Sequence, residues 1–389
     1  MSWSREEILL ATGGEMVREG REVIFGDVVT DSRKVGKGSV FVALKGERFD
    51  GHAFLRDAVL RSAGCLVVHE RTPFSRLRDA TVIRVGDTLK ALGDLAHYRR
   101  EKMAPKVLAI TGSNGKTTTK EMVAAILERA SLAGRSLRGK VLKTEGNYNN
   151  LVGLPLTLLR LRGKERVAVL ELGTSCPGEI RRLTEIANPD IGLITSVAPA
   201  HLTGFSTLVG VAREKGELFQ RMDTRGIAVV NLDDPWVRRL GKKFKGEKIT
   251  YGKKGEVTGE SCKALGVKGM EFTLRVGSQR RRIRLRLSGE HNIVNAVGAA
   301  AMAYGLGAEV EAMRRGLEAV KPFPMRMELE RWKGIGIIND AYNANPASME
   351  AALKTLAEIG ARREKVAILG DMLELGRESR KCHLELGKQ

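Results

Sequence analysis

Apolar positions recur along the chain in two rhythms. Unbroken aliphatic runs, expected of strands buried on both faces, alternate with stretches whose apolar residues return every three or four positions. Strand-like runs fall at 40–44, 65–68, 107–110, 167–170, 191–197 and 227–230, with a helical stretch at 53–62. After residue 106 this strand–helix alternation predicts a parallel sheet covered on both faces, so the fold class expected is α/β. Residues 272–287 alternate apolar and polar about a Gly277-Ser278 turn and predict a hairpin that interrupts the rhythm, and a helix follows over 292–304. A strand at 335–338, a helix at 348–359, a strand at 366–369 and a partial helix at 378–388 end the pattern. Links at 102–105 and 321–324 divide the chain into regions 1–102, 103–320 and 321–389. Two strands and part of a helix are too little for a closed domain, so the last region reads as cut short or as borrowing support from elsewhere.

Composition narrows the class. With 42% hydrophobic and 5% aromatic residues in 389, aliphatic α/β packing is expected rather than an aromatic-rich β fold. No apolar run is long enough to span a membrane, and MSWSREEILLATGG lacks a signal-peptide core. Cys65, Cys176, Cys262 and Cys382 lie far apart without CxxC spacing, as reduced thiols of a cytosolic protein would. The formal charge of +20 is spread along the chain. Its densest stretch, RRRIRLR at 280–286, alternates Arg with Ile and Leu; it reads as one strand with a solvated basic face, and no stacking aromatics mark a nucleic-acid stripe.

The chemistry concentrates at KVLAITGSNGKTTTKEMVAAILERA, beginning at Lys106. A strand runs into Gly112, Ser113, Asn114 and Gly115, and Met122, Val123, Ile126 and Leu127 then recur at helical spacing. The two glycines let backbone N–H groups face an anion at the helix start, Lys116 adds a point charge, and Thr117, followed by Thr118, offers a hydroxyl for Mg²⁺. The general phosphate-loop pattern carries glycine where this chain has Ile110, so the loop is a shortened variant for nucleoside triphosphate. Other candidates keep two readings. Glu171, just past the strand at 167–170, is a metal ligand or a surface carboxylate; His201, after the next strand, a ligand or a structural histidine. Lys215 lies near Glu214 and Glu217 and reads as an exposed ion-pairing lysine by default. Asn147, Asn149 and Asn150 suit sugar or phosphate oxygens, or turn positions. Asn292 and Asn295, three apart at a helix start, can reach one ligand together. Asp340, Asn343 and Asn345 precede a Pro expected to open a helix, so Asp340 suits ribose hydroxyls or a cap.

Together these segments resemble the Mur ligases of peptidoglycan synthesis, over nearly the whole chain. TGSNGKTT marks the wider superfamily; TDSRKV…FVALKGERFDGHAF, GNYNNLVGLPLTLL, NDAYNANPASM and ILGDMLELG look like the branch that adds D-alanyl-D-alanine. The resemblance implies a three-domain architecture: a UDP-sugar-binding N-terminal domain, a central parallel-sheet P-loop ATPase domain, and a C-terminal Rossmann-like domain, here incomplete. It implies a cytoplasmic, monomeric enzyme that uses ATP and Mg²⁺ to join D-alanyl-D-alanine to UDP-N-acetylmuramoyl-tripeptide through an acyl phosphate, with no nucleic-acid or membrane partner. Ser32, Arg33, Lys45, Asp50, Gly51 and His52 would hold the UDP-sugar. Gly112 to Thr118 would cradle the phosphates, with Thr117, Glu171, His201 and a carbamylated Lys215 at the metals. Asn292, Asn295, Arg326 and Asp340 would grip the nucleotide, and Asn343, Asn345, Asp371 and Glu374 would border the dipeptide. Competing readings are a folylpolyglutamate-synthase-like ligase, a nucleic-acid translocase, and a truncated, inactive nucleotide-binding protein.

Overall fold

The computed structural model describes residues 2–46, 49–69, 79–359 and 364–388. They fall in two compact units, Met1–Pro105 with Thr144–Glu165, and Lys106–Lys143 with Arg166–Gln389. The return of 144–165 to the first unit is invisible in the hydropathy pattern.

In the first unit, strands Val28–Val29, Val40–Val42, Cys65–Val68 and Thr81–Arg84 pair in parallel, and Glu15–Arg18 adds an antiparallel edge. Phe41, Leu66, Val68 and Val82 pack against Leu55 and Ala58 of helix Leu55–Leu60, within the helical stretch expected at 53–62. Helix Thr88–Met103 is capped by Asp87, whose carboxylate accepts from the N–H groups of Leu89 and Lys90, and it packs on helix Gly153–Leu158. That packing, with the Arg162–Asp27 ion pair at 2.7 Å, holds 144–165 in this unit.

The second unit is built on a nine-stranded sheet in the order Val141–Lys143, Val167–Glu171, Lys106–Thr111, Ile191–Ile194, Ile227–Asn231, Glu247–Tyr251, Val257–Ala264, Met270–Val276 and Gln279–Leu285. Pairing is parallel as far as Val257–Ala264 and antiparallel beyond it. The hairpin expected at 272–287 is present, but it extends the sheet rather than interrupting it. Ile283 and Leu285 point inward, while Arg282 and Arg284 lie outward and both pair with Glu271, at 2.5 and 2.9 Å. The basic stretch is thus an alternating, partly neutralised strand face.

Helix Lys116–Leu127 lies against this sheet and against helix Glu290–Gly305. Met122, Val123, Ile126 and Leu127 are fully buried, each contributing about 1.5–3 kcal/mol. From strand Lys106–Thr111 the chain passes to one side of the sheet, and from Val167–Glu171 it crosses to the other. The carboxyl ends of these two strands therefore flank a topological switch point, where α/β sheets bind ligands.

Beyond residue 320 come the hairpin Glu328–Trp332 with Ile335–Asn339, helix Pro346–Ile359 and helix Ser379–Leu386. Pro346 opens its helix as expected. The strand expected at 366–369 does not form: the segment has no ladder partner among the described residues, and Val366 and Ile368 are 74% and 94% exposed. Apolar composition reads as a strand, but a strand also needs a neighbour to satisfy its backbone. No helix is long and apolar enough to cross a membrane, among the described residues.

Candidate active site

The loop between strand Lys106–Thr111 and helix Lys116–Leu127 can be made only with its glycines. Gly112 has φ +142°, and a Cβ there would stand 1.9 Å from Thr195 Oγ1 and 3.0 Å from the backbone nitrogens of Thr195 and Ser196. Gly115 has φ +79°, and its Cβ would meet Asn295 Oδ1 at 2.2 Å. The neighbouring strand end pins the loop. Thr195 Oγ1 donates to Asn114 O (2.5 Å), Ser113 N donates to Ser196 O (2.9 Å), and Ser113 Oγ bonds both Ala198 O and Ala198 N at 2.9 Å. Thr195 and Ser196 end an aliphatic strand, and no spacing in the sequence marks them as partners of the loop.

No side chain caps the helix at Gly115, so its first turn presents backbone donors and the positive end of the helix dipole. Lys116 arches back over the loop, donating from Nζ to Gly112 O (2.8 Å) and Ser113 O (3.2 Å). Burial lowers its pKa, Glu171 opposes that shift, and Arg326 adds to it. Asn295 donates to Asn292 Oδ1 at 3.2 Å, so the two asparagines act together beside Gly115.

Parallel pairing sets Glu171 opposite Ile110, two residues before Gly112. Glu171 is buried at 2% exposure rather than a surface carboxylate, and Lys120 Nζ lies 3.9 Å from its Oε2 and 3.1 Å from Glu121 Oε1. Lys120 was not singled out from the sequence; its position one turn after Lys116 is the signal that marks it.

Lys215 is also buried, at 2% exposure, which overturns its default reading as an exposed lysine. Glu214 turns away to the start of the earlier helix Glu179–Ala187: its carboxylate accepts from Gly178 N and Ile180 N, both at 2.8 Å. Glu217 pairs with Arg221 at 3.0 Å. Burial holds the Lys215 pKa well below that of an ordinary lysine; Lys116 lowers it further, and Glu214, Glu179 and Glu171 oppose. Glu179, not marked in the sequence, and Glu214 together hold Thr174 and the backbone of 175–180.

Three segments after residue 320 reach this site. Arg326 donates to Thr117 Oγ1 at 3.1 Å, and its guanidinium lies 3.9 Å from the Tyr342 ring centroid. Asp340 serves neither as a cap nor toward the loop: its Oδ1 accepts from Met327 N at 3.0 Å, and burial raises its pKa. Asn345 exchanges two hydrogen bonds with Asn114, at 3.2 and 2.7 Å, while Asn343 caps Ala344 N at 2.9 Å. Glu374 pairs with His201 Nδ1 and accepts from Thr203 N at 3.0 Å through its carbonyl. Asp371 is exposed, with His383 at 3.8 Å.

A bound divalent ion would find one buried carboxylate at Glu171 and the Thr117 hydroxyl, with Lys215, its pKa lowered by burial, within electrostatic reach of Glu171. Among the described residues no group of three or more His, Cys, Asp and Glu converges. That sparse oxygen set fits Mg²⁺, which keeps waters and takes phosphate oxygens from its substrate.

The remaining candidates lie in the first unit. Asp31 caps the 3₁₀ turn Ser32–Lys34 and holds Arg33 through two side-chain bonds of 2.9 and 2.8 Å, which keep the Asp31 pKa at about 2. Asp50 caps Gly51–Phe54, its backbone forms an isolated antiparallel bridge with Lys45, and its carboxylate lies 2.6 Å from His52 Nδ1. Because His69 N donates to His52 Nε2 (3.0 Å), the imidazole proton must sit on Nδ1, facing Asp50. Asn150 Oδ1 accepts from Val152 N and Gly153 N, which is turn chemistry. Asn147 and Asn149 stand in the turn before it.

Family models match three successive segments: the Mur ligase family catalytic domain over residues 27–100, the Mur ligase middle domain over 110–303, and the Mur ligase glutamate ligase domain over 325–389. UDP-N-acetylmuramoyl-tripeptide–D-alanyl-D-alanine ligase of Escherichia coli is 38% identical over 375 residues, covering 95% of this chain and 80% of that protein. Among solved structures, MurF from Acinetobacter baumannii matches with TM-score 0.90 at 34% identity, covering all of this chain and 83% of that one. MurF from Thermotoga maritima, solved in complex with ADP, matches with TM-score 0.81 at 30% identity, covering 93% and 81%. With identity at this level over four-fifths of its relatives' length, the chain belongs to the Mur ligase family.

Proposed function

We propose that this chain is a cytoplasmic, monomeric ATP-dependent ligase that joins D-alanyl-D-alanine to UDP-N-acetylmuramoyl-tripeptide in peptidoglycan precursor synthesis. The observation that carries the reading is Lys116 arched over a glycine loop beside the buried Glu171, in a chain whose relatives bear that enzyme's name. We assign 1–102 to the UDP-sugar, 103–320 to ATP, apart from 144–165, which fold with the first unit, and 321–389 to ligation.

The tripeptide's terminal carboxylate oxygen attacks the γ-phosphorus of ATP; the bond to the ADP oxygen breaks, leaving an acyl phosphate. The dipeptide amine attacks the acyl carbon, loses a proton, and expels phosphate from a tetrahedral intermediate. Phosphoryl transfer of this kind is chiefly positioning and charge neutralisation. The loop amides hold the β- and γ-phosphates, and Lys116 swings from its carbonyl partners onto them. Thr117, Glu171, His201 and Lys215 would hold Mg²⁺, which supplies further neutralisation of the phosphate oxygens. A neutral Lys215 amine is able to add carbon dioxide and lose a proton, giving a carbamate with ligand oxygens where a cation stood. Asn292, Asn295, Arg326 and Asp340 serve the nucleotide; Ser32, Arg33, Lys45, Asp50, Gly51 and His52 serve the UDP-sugar, with Asn147, Asn149 and Asn150 toward sugar or phosphate oxygens of the substrate. Asn343, Asp371 and Glu374 border the dipeptide.

The test is ADP release. It should require UDP-N-acetylmuramoyl-tripeptide and D-alanyl-D-alanine together. Release driven by folate with glutamate, or by duplex DNA, would overturn the assignment.

A further inference from the structure

Asn345 carries two duties with one side chain. Its Oδ1 accepts from Ser348 N at 3.0 Å, capping helix Pro346–Ile359, while Ser348 Oγ accepts from Asn345 N at 3.0 Å. The same amide forms a closed pair with Asn114 inside the phosphate loop: Asn114 Nδ2 donates to Asn345 Oδ1 (3.2 Å), and Asn345 Nδ2 donates to Asn114 Oδ1 (2.7 Å). Asn345 is 6% exposed, so water competes little for these bonds.

Among the described residues the Asn114 side chain bonds only Asn345, while its backbone is held from the strand end. Its carbonyl accepts from Thr195 Oγ1 (2.5 Å), and its N–H reaches Ser196 Oγ (3.3 Å). The strand end therefore grips the loop from beneath, and Asn345 grips it through the side chain. Gly112 and Gly115 on either side supply no side-chain restraint of their own. A second bridge, Arg326 to Thr117, spans the same two regions one turn away.

We propose that Asn345 is a positioning residue of the phosphate loop: through Asn114 it fixes the loop in its anion-binding shape and couples that shape to the seat of helix Pro346–Ile359. It touches no reacting atom in this role, and its amide is committed to the loop rather than to the dipeptide. The proposal rests on the reading of the loop as an ATP site.

Asn345→Ser keeps a helix cap but cannot span to Asn114; Asn114→Ala removes the other half. ADP affinity, measured by fluorescent-nucleotide titration without the peptide substrates, separates the roles. Each single variant should weaken ADP about five- to tenfold, as the loss of two buried neutral hydrogen bonds implies. The double variant should be no weaker than the poorer single one, because the pair is then already broken. Without nucleotide, Asn345→Ser should still unfold cooperatively and melt only a few degrees below wild type, the share that two lost hydrogen bonds imply, so that its weaker ADP binding is not a loss of fold. Additive losses in the double variant, or an Asn345→Ser protein that binds ADP like wild type, would overturn the proposal. Should Asn345→Ser not fold, Asn114→Ala alone decides: undiminished ADP binding refutes the coupling. If wild type itself binds no ADP, it is the ATP reading that fails instead.

Discussion

Gly112→Ala puts one methyl group where the loop leaves no room. At φ +142° the backbone lies in a region nearly closed to residues with a Cβ, which costs about 1–3 kcal/mol. The new carbon would stand 1.9 Å from Thr195 Oγ1 and 3.0 Å from two backbone nitrogens of that strand end. The hydroxyl can rotate away only by giving up its bond to Asn114 O, and the backbone nitrogens cannot move without disturbing the sheet. Forcing atoms into such packing adds about 1–3 kcal/mol, for a total of about 2–6 kcal/mol. At roughly 2–4 °C per kcal/mol, the apo melting temperature should fall by several degrees or more. Gly134→Ala is the internal control: its φ is +73°, but nothing lies within 4 Å of its Cβ. It should carry only the left-handed backbone cost of about 1–2 kcal/mol. Differential scanning fluorimetry and ADP titration of both variants make the comparison. Gly112→Ala should melt below Gly134→Ala and lose ADP affinity more than tenfold, while Gly134→Ala binds normally. If Gly112→Ala melts with Gly134→Ala and binds ADP like wild type, the reasoning about the loop is wrong.

Lys116→Ala should lower ligation by about 10²–10³, the worth of one well-placed electrostatic contact, in steady-state ADP release; unaltered turnover would remove Lys116 from the site. Lys215→Ala should lose activity and regain part of it with short carboxylic acids, which replace the carbamate oxygens; no rescue at any concentration counts against the carbamate. The same lysine has a stability signature. Between its depressed folded pKa and the ordinary 10.5 the unfolded chain keeps a proton that the folded chain has released, so stability should rise with pH across that window. Lys215→Met should flatten that slope and melt higher than wild type near pH 7. His291 behaves in the acid range: burial holds its pKa at about 4 against 6.5, so stability should fall as pH drops from 6.5 toward 4, by about 3 kcal/mol in all. His291→Gln should lose less melting temperature over that interval than wild type does.

The phosphate loop was legible because its chemistry is local. A strand, two glycines, a lysine and a helix lie within one short segment, and each residue's conformational need is visible in its type. The parallel sheet followed from the same logic, since strands buried on both faces must be aliphatic throughout. What the sequence concealed depends on partners distant along the chain. Glu214 seemed the natural partner of Lys215, yet it is spent on the backbone of 178–180, and that leaves Lys215 buried, with no close ion pair among the described residues. The stretch at 366–369 has a strand's composition but no ladder. Asn345 read as a ligand-facing asparagine, while its partner Asn114 is 231 positions away. In each case residue type limited the chemistry, and only the fold decided which of its possible partners was within reach.

The account turns on an acyl phosphate formed from the tripeptide carboxylate, and an isotope label follows that step directly. With ¹⁸O in the terminal carboxylate of UDP-N-acetylmuramoyl-tripeptide, one turnover with ATP and D-alanyl-D-alanine should deliver one labelled oxygen into the released phosphate, read by mass spectrometry. Label appearing in AMP, or phosphate released without label, would contradict it.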